Sequence, residues 1–308
     1  MINLTEKFFE FAKARSGFDG GCGCEHDDCD HDDCGCGHDH DDCGCGHAHN
    51  ESLGADFYED PAAYVERLHE EWLDSYDGEI SATPRQYVDS LSQKHAVAEY
   101  AEAALKRGWM LDEAVIEALA VPEYIEFLNI MLDSDNAEAA DIAASALAAI
   151  GGGEVEDIFI EALAEDSLSG EAQLIAYDFL SESGEGVVDK ILKVIYAAAP
   201  DVQGMLVEIM SNYKGRKEVY MWLVSMLYRA EDVALYASLL GAYGNPDAIS
   251  ILKEFAEEPD IDYNEFMEIR NAVERLGGEL ETKRDFSCDE LYKIIKGGEG
   301  DAAADEQN

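Results

Sequence analysis

The chain has 308 residues, 47% of them apolar. That is enough for about two ordinary domains, or for one elongated repeat array that buries its own core. Its 68 acids against 21 bases give a formal net charge of −47, a field that repels nucleic acid and anionic membrane and attracts cations and basic protein surfaces. Salt-adapted proteins share such acidity, so charge alone names no partner.

Residues 1–17 come first. Ile2, Leu4, Phe8, Phe9, Phe11 and Ala12 lie at helical spacing and predict a short amphipathic helix. Charges at Glu6, Lys7, Glu10, Lys13 and Arg15 break up what would otherwise be the apolar run of a secretory signal. No stretch reaches the roughly 18 apolar residues of a membrane span. The expectation is a cytoplasmic protein without membrane contact, in a compartment that keeps thiols reduced.

Residues 18–56 are of another kind. The run CGCEHDDCDHDDCGCGHDHDDCGCGHAHN, from Cys22 to Asn50, holds seven of the eight cysteines, six of the eight histidines and no Lys or Arg. The pattern C-G-C-x-H occurs three times: Cys22, Cys24, His26; Cys34, Cys36, His38; and Cys43, Cys45, His47. Cys29 and His31 add a pair between the first two units, and His40 and His49 are second histidines. Glycine between paired cysteines lets both sulfurs turn toward one ion. Each unit then supplies two sulfurs and one nitrogen, one ligand short of a tetrahedral set, and thirteen such ligands close about three sites. Thiolate with imidazole suits zinc best, with nickel, Cu(I) and cadmium as rivals. Interleaved carboxylates make an iron–sulfur cluster the poorer fit. The nine acids of the run keep the empty segment extended and draw in cations. In composition the tract resembles metallothionein-like storage tracts and the metal-sequestering loops of metallochaperones. The plainer alternative is a low-complexity insert that binds metal without purpose.

Helical pattern resumes over 57–107, where Asp60-Pro61 and Thr83-Pro84 read as helix starts. His69-Glu70-Glu71-Trp72 opens like the zinc-protease helix, but Leu73 stands where that motif needs its second histidine. His95 falls in a helical run with Lys94 and Glu99, and Trp72, Trp109 and Trp222 occupy apolar positions assigned to the core.

Over 108–285, glycine-bearing breaks at Gly151, Gly184, Gly215, Gly244 and Gly277 are spaced by 33, 31, 29 and 33 residues. An apolar helix precedes each break, and a second follows each of the first four. This period signifies an α-solenoid of stacked helix pairs. The junctions SALAAIGGGEVEDIFIEAL and LLGAYGNPDAISILKEF resemble those of HEAT repeats, most closely the short bacterial kind of phycobilin-lyase-like proteins, over about 108–280. The resemblance implies a scaffold for protein contacts and carries over no catalytic residue. NYKGRKEV, at Gly215, departs from the pattern. Between Arg107 and Lys190 lie 20 acids and no base, Asp133, Asp135, Glu154, Glu156, Asp157, Glu165 and Asp166 among them. Some stabilise helix starts; the rest form a negative face for a basic partner. Ser287-Cys288-Asp289-Glu290 has the form of a capping box with Cys288 in the first helical turn, and 286–308 reads as a short helix and a polar acidic tail.

The combined expectation is an all-α protein: a HEAT-like α-solenoid with an N-terminal helical region and a Cys/His-rich metal-binding insert. It has no catalytic site. It sequesters or delivers a transition metal and docks a protein partner. The alternatives are a pure interaction scaffold whose tract is a solubilising linker, and, more weakly, a HEAT-type lyase or maturation factor.

Overall fold

The computed structural model describes residues 1–16, 60–168, 170–229 and 232–295, and the architecture below is that of these residues. They are all-α. No strand occurs among them, and an isolated bridge between Asp77 and Ala82 is the only extended pairing they show. The chain divides into two compact units, one ending at Phe127 and one beginning at Leu128.

The first unit begins with α1 (Leu4–Ser16). Helix α2 (Pro61–Leu73) starts where the Asp60 carboxylate accepts a hydrogen bond from the Ala63 N–H, with proline in the first turn as its fixed φ favours. Helix α3 (Pro84–Gln93) starts at a reciprocal capping box, Thr83 with Gln86, each side chain 3.2 Å from the other's N–H. Helices α4 (Val97–Leu105) and α5 (Glu113–Leu119) follow, and then α6 (Ile125–Leu132), which runs across the division. Helix α1 packs on α2, α2 on α3, and α5 on both α3 and α4. Leu4, Trp72, Leu73, Val97, Val115 and Leu119 are buried. Residues 108–127, which the glycine spacing would join to the repeats, thus belong to the N-terminal unit.

The second unit contains α7 (Ala137–Ile150), α8 (Gly153–Ala164), α9 (Gly170–Glu182), α10 (Gly186–Val194), α11 (Pro200–Ser211), α12 (Lys217–Arg229), α13 (Val233–Tyr243), α14 (Ala248–Phe255) and α15 (Tyr263–Arg275). Alternate helices form a row in which α7 touches α9, α9 touches α11, α11 touches α13 and α13 touches α15. The even-numbered helices lie against that row, and α8 also touches α10. Ring contacts extend the second set: Tyr196, beyond α10, is 5.1 Å from Trp222 on α12, and Tyr228 on α12 is 5.1 Å from Phe255 on α14.

Polar ties recur at nearly the same sequence separation. The Asp141 carboxylate accepts from the Ala172 N–H 31 residues on, at 2.9 Å. The Tyr213 hydroxyl donates to the Leu180 carbonyl across 33 residues, and the Tyr243 hydroxyl to the Arg216 carbonyl across 27. Two helical glycines mark close approaches: a Cβ on Gly204 would lie 2.8 Å from the Tyr236 hydroxyl, and one on Gly241 would lie 2.7 Å from Ala272 Cα. At the breaks, Gly244 ends α13 in the left-handed region, φ 85°, which a side chain resists. Gly151, Gly215 and Gly277 also have positive φ, whereas Gly184 does not.

Three local expectations are corrected. His95 is not helical: it is exposed in the joint between α3 and α4 with φ 52°, and its Nδ1 is 3.3 Å from Glu123. Trp109 is half-buried outside any helix, beneath the Arg107 guanidinium at 5.4 Å, whereas Trp72 and Trp222 are buried. The Ser287 capping box gives way to Asp289, whose Oδ1 accepts from the Tyr292 N–H at 2.9 Å and caps helical residues 290–295. Its Oδ2 also accepts from the Tyr263 N–H at the start of α15, 3.2 Å away. Cys288 therefore precedes the helix, exposed and without a disulfide partner among the described residues.

Candidate functional site

The thirteen predicted ligands, Cys22, Cys24, His26, Cys29, His31, Cys34, Cys36, His38, His40, Cys43, Cys45, His47 and His49, lie outside the described residues. What is described is where their segment attaches. It leaves from α1 and rejoins the chain at α2, and those two helices pack on each other. Phe8 of α1 meets His69 edge-on at 5.0 Å and Trp72 at 5.5 Å, and Arg15 lies 3.4 Å from Glu71. Among the described residues, no group of three or more His, Cys, Asp or Glu side chains is placed to hold a metal, and no helix is long and apolar enough to cross a membrane.

Beside this junction sits a buried polar pair. His69 is only 9% exposed, and its Nε2 lies 3.2 and 3.3 Å from the two oxygens of Asp112, itself 5% exposed. The same carboxylate caps α5, accepting from the Ala114 N–H at 3.1 Å. One buried acid thus ties α2 to the start of α5. An open groove of about 720 Å³ borders the pair, lined by Thr5, Phe8, Pro61 and Val65 among others. The Thr5 hydroxyl donates to the Met110 carbonyl at 3.0 Å. The pair was half legible: His69 precedes Trp72 by three residues and Leu73 by four, on the buried stripe of α2, and a buried imidazole needs a partner.

In the second unit the structure sorts the acids of the base-free run. Glu156 and Asp157 are claimed by Lys190, at 3.0 and 2.8 Å, and the Asp141 carboxylate by an N–H of α9. Asp133, Asp135, Glu161 and Glu165 instead line one cleft of about 630 Å³, together with Asn129 and Ser134. A second cavity, of about 430 Å³, lies along α9, α11 and α13 and is bounded by Leu174, Tyr177, Asp201, Met205, Glu208 and Tyr236. Burial raises the Glu208 carboxyl above the usual range; the charge of Asp232 adds to this, and a hydrogen bond from Tyr177 opposes it. Both features suit a cationic side chain brought from outside.

A third groove, of about 690 Å³, lies where α10, α11 and α12 meet and has the opposite character. It is lined by Tyr196, Gln203, Lys217, Met221, Trp222 and Arg229, with Leu192, Glu218 and Ser225.

No family model matches the chain, and no curated protein or solved structure matches it.

Proposed function

We propose that this is a cytosolic transition-metal-binding protein in which the Cys/His tract sequesters or delivers metal, zinc in first place, and the second unit docks a basic protein partner. The observation that carries the reading is the set of thirteen soft or borderline ligands between Cys22 and His49, inserted between two helices that pack together. The second unit is read as a HEAT-like α-solenoid. In support, its alternate helices touch in a row and its polar ties recur every 27–33 residues, as stacking of like units requires. The acids of the cleft at Asp133, which make no ion pair among the described residues, and the half-buried Glu208 supply attraction for a basic surface.

Elemental analysis of the protein from its native source tests the metal assignment. Several equivalents of metal are expected, falling to near none when residues 20–50 are deleted. A metal-free preparation under reducing conditions sinks the reading. A pure scaffold, the second reading, draws on the same recurring contacts. It predicts that partners stay bound after chelation and after Cys-to-Ser changes in the tract, whereas a metallochaperone loses transfer.

A further inference from the structure

The basic residues of this acidic chain are not evenly spread. Six of the 21, namely Lys190, Lys193, Lys214, Arg216, Lys217 and Arg229, fall within residues 190–229. Lys190 is taken up by Glu156 and Asp157, and Arg216 by Asp189 and Glu218. Arg229 differs from these. Its Nη1 donates to the side-chain oxygen of Gln203 at 2.6 Å, and its guanidinium lies over the Trp222 ring at 5.7 Å. Gln203 is itself only 9% exposed, and its amide nitrogen donates to the Ala198 carbonyl at 3.0 Å. The buried amide is thus fixed at both ends and holds the arginine in place. Among the described residues neither Arg229 nor Lys217 has a carboxylate within ion-pair distance.

Lys217, Met221, Ser225 and Arg229 recur every four residues of α12 and, with Trp222, all line the groove. The two cations therefore stand at opposite ends of the groove, about 18 Å apart along the helix axis at 1.5 Å per residue. Between them lies an aromatic floor: Trp222, with Tyr196 5.1 Å away and 78% exposed, and Met221, 55% exposed. An enclosed pocket would bury most of a small molecule. This one is an open channel with a cation toward each end, Glu218 beside Lys217 and turned to Arg216 at 3.6 Å, and an apolar middle. A span of about 18 Å is covered by roughly five extended residues.

From this juxtaposition we infer that the groove binds an extended peptide of a partner protein, with an acidic side chain at each end of a five-residue stretch and an aromatic residue between. One acid takes the edge of the Arg229 guanidinium turned away from Gln203 in a charge-assisted pair, the ring lies on Tyr196 and Trp222, and the second acid meets Lys217. The net charge of −47 opposes the approach of acidic peptides. At physiological ionic strength, however, charges beyond about 8 Å are largely screened, and the groove's own cations decide the contact. This site stands apart from the metal reading, and its test does not depend on metal content.

Isothermal titration calorimetry of the full chain tests it, using the end-blocked peptide glutamate–glycine–phenylalanine–glycine–glutamate and its glutamine counterpart. The acidic peptide is expected to bind about tenfold tighter than the neutral one. R229Q and Y196A are each expected to lose about fivefold or more. Tyr196 is so exposed that Y196A reads the groove even where R229Q disturbs folding, and the melting temperature of each variant separates a structural effect from a binding one. No binding at millimolar peptide, equal affinity for both peptides, or wild-type affinity in both variants overturns the inference. Free 3-phenylpropionate binding as tightly as the peptide also overturns it, because the occupant would then be a small aromatic acid.

Discussion

Replacing Gly241 with alanine sets two opposite effects against each other. In an unobstructed helix the change stabilises by about 1 kcal/mol, because glycine loses the most backbone freedom on folding. Gly241 is obstructed: the new methyl carbon would stand 2.7 Å from Ala272 Cα and 2.8 Å from its Cβ. Carbon atoms pack at about 3.5–4.0 Å, so α13 and α15 must separate by about 1 Å. The obstacle is backbone and cannot swing away. Overpacking of this kind costs about 1–3 kcal/mol, and the separation also loosens the seam to which Leu240 and Ile269 contribute buried side chains. Overpacking outweighs propensity, and a net loss of about 1–2 kcal/mol is expected, or about 2–8 °C in melting temperature for a unit of this size. Thermal and urea unfolding followed by circular dichroism measure it. Gly186, at the first position of α10, has no atom within 4 Å of its own would-be Cβ, so G186A is the control and should be neutral or stabilising. If G241A stabilises as G186A does, the close approach of α13 and α15 is refuted.

Asp112→Ala removes the cap of α5 and strands the buried His69 imidazole, so a loss of about 2–4 kcal/mol is expected in urea unfolding; D112N keeps an acceptor and should lose less. Glu208 titrates above the normal glutamate range because of burial, so the folded protein binds its proton more tightly than the unfolded chain does. Its contribution therefore lowers stability as pH rises through that window. E208Q should equal or exceed wild type at neutral pH, the difference vanishing well below the normal glutamate range; a variant less stable than wild type at pH 7 would contradict this. Changing Asp133, Asp135, Glu161 and Glu165 together to their amides should weaken binding of an oligolysine peptide, measured by fluorescence anisotropy, by about tenfold at low salt and much less at high salt. Unchanged binding would remove that cleft as the docking surface.

The elements that a sequence specifies through local chemistry were readable. Asp60-Pro61 and Thr83-Pro84 start helices because a short polar acceptor followed by proline satisfies the first N–H groups. The apolar runs around Gly151, Gly215 and Gly244 give helices on both sides of each break. What depends on distant partners was not readable. Nothing near Asp112 reveals that it meets a histidine 43 residues earlier, nor does any local signal at Gln203 show it bracing an arginine 26 residues later. Asp289 takes the capping role from Ser287 because it also reaches an N–H on α15, a tertiary reward no local motif encodes. The acids of the base-free run read as one face, yet long-range pairing with Lys190 and capping of α9 divide them into committed and available sets.

Charge connects the tract to the rest of the chain on the proposed reading. Thiols lose their protons when they bind metal. Three divalent ions held with all seven cysteines bring six positive charges against seven thiolates, so the loaded ligand shell is one charge more negative than the empty one. The nine carboxylates of the run are not neutralised in either state. A basic partner is therefore attracted to the tract whether it is loaded or empty, and metal cannot signal its presence through charge. Transfer has to proceed by exchange of ligands with a partner already held in place, which gives docking a kinetic purpose. An acidic body attracts any basic surface, and attraction of that kind is fast and poorly selective. The groove at Arg229 supplies the missing discrimination. A partner that is basic overall, and also presents two acids spaced around an aromatic ring, satisfies both fields at once. A merely basic protein satisfies only one.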